Sequence, residues 1–182
     1  MTHQDGHHAQ DAQSRLEAAL REDDLEAVEA ALREGADPNR LDGAGHPPLV
    51  QACRLPGIPG RRAARALLDA GADVTWRDRE HGWTPLHHAV AGPGDAQLIE
   101  LLLERGADAD VTTSWGETPL QRALRDQLVE KALVLARVTK APDAKNASGA
   151  SARSLAGELA ARVASIVDAL DGEPTAPPPA GP

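Results

Sequence analysis

The sequence predicts an all-α solenoid, a stack of short helix–turn–helix units joined by extended, β-hairpin-like finger loops. Three observations predict it. Gly35-Ala36-Asp37, Gly71-Ala72-Asp73 and Gly106-Ala107-Asp108 recur at spacings of 36 and 35 residues. A second marker, Pro47-Pro48-Leu49, Thr84-Pro85-Leu86 and Thr118-Pro119-Leu120, keeps in phase with the first. Self-similarity at a period of about 20–50 residues is the mark of a repeat array. Third, the 182-residue chain holds three Trp and neither Phe nor Tyr. Its core must come from Leu, Ala, Val and Ile, which suits thin helical layers packed closely on small side chains.

Between the markers the apolar pattern is helical. Leu25, Val28, Ala31 and Leu32 fall at i, i+3, i+6 and i+7, and Leu98, Leu101 and Leu102 lead into Arg105-Gly106 in the same way. Glycine at such a point supplies the left-handed conformation that stops a helix. Upstream, Thr84 is placed to cap a helix, and Pro85 occupies its first turn, where a missing N–H costs nothing. Each unit therefore reads as helix, turn, helix, glycine stop and extended excursion.

The residues Gly82-Trp83-Thr84-Pro85-Leu86-His87-His88-Ala89 and Leu101-Leu102-Leu103-Glu104-Arg105-Gly106-Ala107-Asp108 resemble the ankyrin repeat, whose signature includes Thr-Pro-Leu-His-x-Ala. The likeness extends over an ankyrin-repeat domain of about residues 14–172, with five units expected at 14–45, 46–82, 83–116, 117–149 and 150–172. The unit at 83–116 matches best. The first unit has Asp23 where an inter-helix glycine is usual. In the second, Pro47 replaces Thr, Val50 replaces His, and Leu55 to Gly60 swell the turn between the helices. The fourth keeps Thr118-Pro119-Leu120 and Ala123 but has Thr139-Lys140-Ala141 at the Gly-Ala-Asp position, with a second helix expected near 127–138. The fifth is read from the loop-like Asn146-Ala147-Ser148-Gly149 and an apolar face of Leu155, Leu159, Val163, Ile166, Val167 and Leu170. Degenerate end units fit a stack whose outermost faces must stay wet. Residues 1–13, polar and His-rich, and 173–182, rich in Pro, Ala and Gly, are expected to be disordered tails.

Composition excludes several classes of function. A formal charge of −9 without a basic stripe argues against nucleic acid as the main partner. No apolar run reaches membrane-spanning length and the N-terminus lacks an apolar signal core. A cytoplasmic location is the expectation, and the single Cys53 can form no internal disulfide. His87 and His88 are helix neighbours that point about 100° apart, poor geometry for a shared metal. His87 occupies the ankyrin His position, where the resemblance implies a structural hydrogen-bonding role. Cys53 has no second ligand at zinc spacing. Gly43-Ala44-Gly45 and Gly92-Pro93-Gly94 do not follow strands, so they imply no dinucleotide site. Ser114 and Ser148 have no matched base. No metal, no cofactor and no enzymatic activity are expected.

In ankyrin proteins the fingers and the inner helices beneath them form a concave surface that binds other proteins, and the resemblance implies the same here. The fingers are expected at 37–47, 73–83, 108–117 and 141–150. Every Trp lies on them: Trp76 and Trp83 flank the second, and Trp115 stands near the tip of the third. Stacked repeats lie about 10 Å apart, so the indoles are within reach of one patch. Trp is the residue most enriched among binding hot spots. The alternative is that these rings pack against neighbouring loops and stiffen the stack. The expected contacts are Trp76, Arg77, Arg79, Glu80, His81, Trp83, Trp115 and Glu117. The expected partner is an unidentified protein with a basic face, complementary to the acidic chain, and the chain is expected to be monomeric. Alternatives are a dedicated inhibitor, immunity or chaperone-like protein of a neighbouring enzyme, or a scaffold that self-associates through its apolar last unit.

Overall fold

The structure, a computed structural model, describes residues 3–171. The described residues form nine α-helices and no strand: α1 (His3–Arg21), α2 (Leu25–Arg33), α3 (Pro48–Cys53), α4 (Gly57–Asp69), α5 (Pro85–Ala91), α6 (Ala96–Glu104), α7 (Pro119–Arg125), α8 (Val129–Ala136) and α9 (Ala152–Asp171). Helices this short are marginal alone and persist here by packing. They stack in two rows. Helices α1, α3, α5, α7 and α9 lie successively side by side, and α2, α4, α6 and α8 form a second row against them. The interior is aliphatic, built on Leu16, Leu20, Leu49, Leu67, Leu86, Leu98, Ile99, Leu101, Leu102 and Leu135, and no indole enters it.

Local chemistry explains the helix ends. Thr118 Oγ1 accepts from the Gln121 N–H at 3.2 Å, and Gln121 Oε1 accepts from the Thr118 N–H at 2.9 Å, a reciprocal cap at the start of α7. His87 replaces the glutamine at α5, its Nδ1 accepting from the Thr84 N–H at 3.3 Å. Asp24 and Asp95 cap α2 and α6 through the Ala27 and Leu98 N–H groups, each at 3.0 Å. Helices α2, α4 and α6 stop on Gly35, Gly71 and Gly106, at φ of 96°, 91° and 96°, which is the left-handed stop the repeated Gly-Ala-Asp predicts.

Three details differ from expectation. Residues 3–13, expected within a disordered tail, belong to α1. Ala12, Leu16, Ala19 and Leu20 make one buried helical face, and Gln13, 3% exposed, accepts from the Asp37 N–H at 2.9 Å. The polar composition of that segment belongs in part to the exposed side of a helix. Second, α8 spans Val129–Ala136, shorter than 127–138. Gln127 is left-handed at φ 59°, as Asp23 is at φ 57°, so both inter-helix turns use a non-glycine residue where the repeat usually has glycine. Third, α8 ends without a glycine stop. Thr139 Oγ1 donates to Asp110 Oδ1 instead, and the Lys140 N–H donates to Asp110 Oδ2 at 2.8 Å, tying the fourth unit to the third.

Among the described residues the stack continues beyond α8 with α9 alone. Leu155 and Leu159 are half-buried and Val163 is exposed. The side chains of Ile166, Val167 and Leu170, and the tail expected at 173–182, lie outside the described residues.

Candidate protein-binding cleft

Each finger folds around one polar side chain that accepts from the backbone of its own turn. Asp42 accepts from Ala44 and His46 at 2.8 and 2.9 Å, and Asp78 from Gly82 and Trp83 at 3.1 and 3.0 Å as well as from His81. Thr113 accepts from Trp115 and Glu117, both at 3.3 Å, and Asn146 from Ser148 and Ala150, both at 3.0 Å. Partial burial works against ionisation of Asp42 and Asp78, but these N–H groups outweigh it and hold both carboxyls below their ordinary value.

Neighbouring fingers are then joined. The Ser114 N–H donates to the His81 carbonyl and the Ala147 N–H to the Trp115 carbonyl, each at 2.8 Å. Arg77 Nη2 donates to the Thr112 carbonyl. Gly82 is required at the first of these junctions. It sits at φ 67°, and a Cβ there would lie 3.2 Å from the Arg77 guanidinium and 3.3 Å from Ser114.

This scaffold aligns a run of rings. Trp76 lies 6.1 Å from His46, His46 lies 5.9 Å from His88, and His88 lies 5.1 Å from Trp83. Across the fingers His81 and Trp115 are 5.0 Å apart, and the Arg122 guanidinium stands 5.0 Å from the centre of the Trp83 ring. Between them opens a cleft of about 810 Å³ that all three indoles line. Trp115 is 51% exposed, while Trp76 and Trp83 are half-buried in its walls.

Of the eight residues singled out in the sequence, Trp76, Arg77, Arg79, Glu80, His81, Trp83 and Trp115 meet in this cleft. Glu117 does not. It is 6% exposed beneath the third finger, paired with Arg125 at 2.6 Å and near Arg122 at 3.9 Å. Burial pushes its carboxyl up and the two arginines pull it back down, with burial dominant. A residue so enclosed is a strut of the finger rather than a contact.

The cleft also takes in His46, Arg54, His88 and Arg122, which the sequence reading left out. His46 had a signal, since Gly45-His46-Pro47 stands in phase with Gly82-Trp83-Thr84. Arg54, on the turn after α3, had none. His88 is 6% exposed, and its Nε2 has no hydrogen-bond partner, nor has the buried Nε1 of Trp83. Burial, then the charges of Arg54 and His46, push the His88 imidazole down to about 4. Burial likewise pushes His87 down to about 4, and its Nε2 lies 3.4 Å from the Glu117 carbonyl, so His87 links the third unit to the next finger.

The cleft reverses the charge of the whole chain. Its lining holds Arg54, Arg77, Arg79 and Arg122 but only two carboxylates, Asp78 and Glu80, so the expectation of a basic partner, drawn from the total of −9, has no support from the cleft itself. Cys53 lies elsewhere, fully buried, its thiol pushed up to about 12 by that burial and unsuited to attack as a thiolate. Among the described residues no three His, Cys, Asp or Glu side chains are grouped to hold a metal ion.

Two rows of short helices joined by extended fingers define a class, the helical repeat solenoid. A family profile for ankyrin repeats, in three copies, matches residues 16–113, and the chain belongs to the ankyrin-repeat family. Among its relatives it is 35% identical over 126 residues to E3 ubiquitin-protein ligase KEG of Arabidopsis thaliana, covering 69% of this chain and 8% of that protein. It is 41% identical over 99 residues to Ankyrin repeat and SOCS box protein 16 of Mus musculus, covering 52% of this chain and 21% of that protein. To Ankyrin repeat and SOCS box protein 6 of Homo sapiens it is 39% identical over 110 residues, covering 57% and 25%. The chain thus spans a quarter or less of the length of these relatives. Ankyrin repeats are in general protein–protein interaction modules. No described helix is long and apolar enough to cross a membrane.

Proposed function

We propose that the chain is a non-enzymatic binding module that holds one partner protein against the cleft formed by its first three fingers, through Trp76, Arg77, Arg79, Glu80, His81, Trp83 and Trp115. The observation that carries this reading is the convergence of every indole of the chain on one open surface. An aromatic kept out of an aliphatic core and exposed beside arginines has the composition of a binding hot spot. The module works in the cytoplasm as a monomer. In its narrower form the partner is one enzyme that the chain inhibits, protects against or chaperones. The net charge of −9 favours a partner with a basic face during long-range approach.

Affinity capture from cells that express the chain tests the proposal, with the intact chain set against the Trp76→Ala, Trp115→Ala double variant. Both residues are on fingers rather than in the aliphatic core, so the variant is expected to keep its melting temperature within a few degrees and to lose the captured protein. A variant that unfolds would show that the rings stiffen the stack instead, and one that captures the same protein would remove the cleft from the function.

One observation favours a second reading, self-association. Val129 and Leu133 of α8 are 54% and 55% exposed beside an apolar groove of about 390 Å³ lined by Leu120, Leu124, Ala132, Pro142 and Leu159. Light scattering on the purified chain decides between them, because a monomer across a wide concentration range removes the scaffold.

A further inference from the structure

In a chain of net charge −9 the cleft is lined by more arginines than carboxylates. The four lining arginines differ in what they already hold. Arg122 is engaged by Asp126 and Glu117. Arg77 donates to the Thr112 carbonyl. Arg54 and Arg79 are exposed, and no carboxylate pairs with either among the described residues. Neither carboxylate of the cleft is paired with Arg54 or Arg79. Asp78 is occupied by the N–H groups of its own turn, and Glu80, 83% exposed, faces outward beside His81 at 3.6 Å.

The walls also hold unsatisfied polar atoms. Trp83 Nε1 and His88 Nε2 are buried without a partner. An indole N–H can only donate, and native proteins seldom bury a donor that meets no acceptor.

We infer that the cleft receives an acidic peptide segment of the partner, an inference that rests on the protein-binding reading of the same surface. Carboxylates of the segment pair with Arg54 and Arg79, whose planar guanidinium groups suit two-point contact with carboxylate oxygens. Apolar groups of the segment lie on Trp76 and Trp115. An oxygen acceptor of the segment takes the Trp83 N–H after the side-chain shifts that are common at interfaces. A nucleic acid fits less well. Its regularly spaced phosphates continue beyond the cleft and meet a chain whose total charge is −9, whereas a short acidic segment keeps its few charges inside.

The test is a selection of random short peptides displayed on phage, carried out on the full chain and repeated on Arg54→Glu, Arg79→Glu and on Trp76→Ala, Trp115→Ala, each checked for fold by circular dichroism. Selected peptides are then titrated by tryptophan fluorescence, which reports on the cleft because all three indoles line it. The expected result is enrichment in Asp and Glu, with binding that weakens about tenfold or more in the arginine variant and falls with added salt. Neutral or basic peptides that bind the intact chain and fail on the tryptophan variant would overturn the acidic segment while leaving the cleft a protein-binding site. Peptides indifferent to both variants, or no enrichment at all, would overturn both. Oligothymidylate that binds more tightly than the acidic peptides would overturn the inference in favour of nucleic acid.

Discussion

His87 does structural work in a position where a histidine could be taken for a ligand. It caps its own helix through Thr84 and reaches the next finger through the Glu117 carbonyl. With His88 beside it, it sets how stability depends on pH. Both imidazoles are pushed from an ordinary 6.5 down to about 4, chiefly by burial. Below 6.5 the unfolded chain takes up protons that the folded chain refuses, so folding stability is complete above pH 6.5 and is lost progressively as the pH falls towards 4. The loss is on the order of 3 kcal/mol for each residue. Urea unfolding across this range measures it, and His87→Gln is expected to flatten the curve without losing the cap, since Gln121 makes the same cap at α7. The role of His87 was legible because the surrounding Thr-Pro-Leu-His-x-Ala fixes its place. Lys131 was not. Its Nζ donates to the carbonyls of Ala89, Val90 and Gly92 at 2.9, 2.9 and 2.7 Å, closing the end of α5 from α8. A single lysine in an amphipathic helix reads as surface until the neighbouring helix end is known.

At the scale of elements, the turns show where local preference yields to the stack. Asp23 and Gln127 both adopt a left-handed backbone, and the next N–H in each case donates five residues back, Asp24 to Ala19 and Leu128 to Ala123. The packed helices on either side impose the turn on a residue that disfavours it. Gln127→Gly is therefore expected to stabilise the fold by about 0.5–1 kcal/mol, after the greater freedom of glycine in the unfolded chain offsets part of the gain. Thermal melting checks this, and a destabilised variant would mean that the Gln127 side chain contributes a contact of its own. The helix of the fourth unit was placed only approximately from the sequence because its usual punctuation is absent: no glycine ends α8, and Asp110 of the preceding unit anchors Thr139 and Lys140 instead. Contacts between units leave no mark at the site they stabilise. The same reason hid Arg54, which joins the cleft from the turn after α3 rather than from a finger.

The whole molecule is a stack whose units depend on their neighbours, so its ends decide how much of it is held. Helix α1 is the first described element and packs on α2 and α3. Deleting residues 1–13 removes buried Ala12 and Gln13, exposes Leu16, and frees the Asp37 N–H. The expected result is a loss of about 2–4 kcal/mol, seen as a lower urea midpoint; no change would restore the reading of that segment as a tail. The central units and the gathering of the indoles were legible because two markers recur in phase and every Trp falls between them. The N-terminal helix was not, since composition describes its wet face as well as it describes a disordered segment. Where the partner sits is measured directly by site-specific photocrosslinking. A benzophenone side chain placed at Trp115 on the third finger should form a covalent adduct with the partner, while the same group at exposed Glu104 on α6, in the opposite row of helices, should form none. An adduct from position 104 with none from 115 would put the partner on the row of α2, α4, α6 and α8 and not in the cleft.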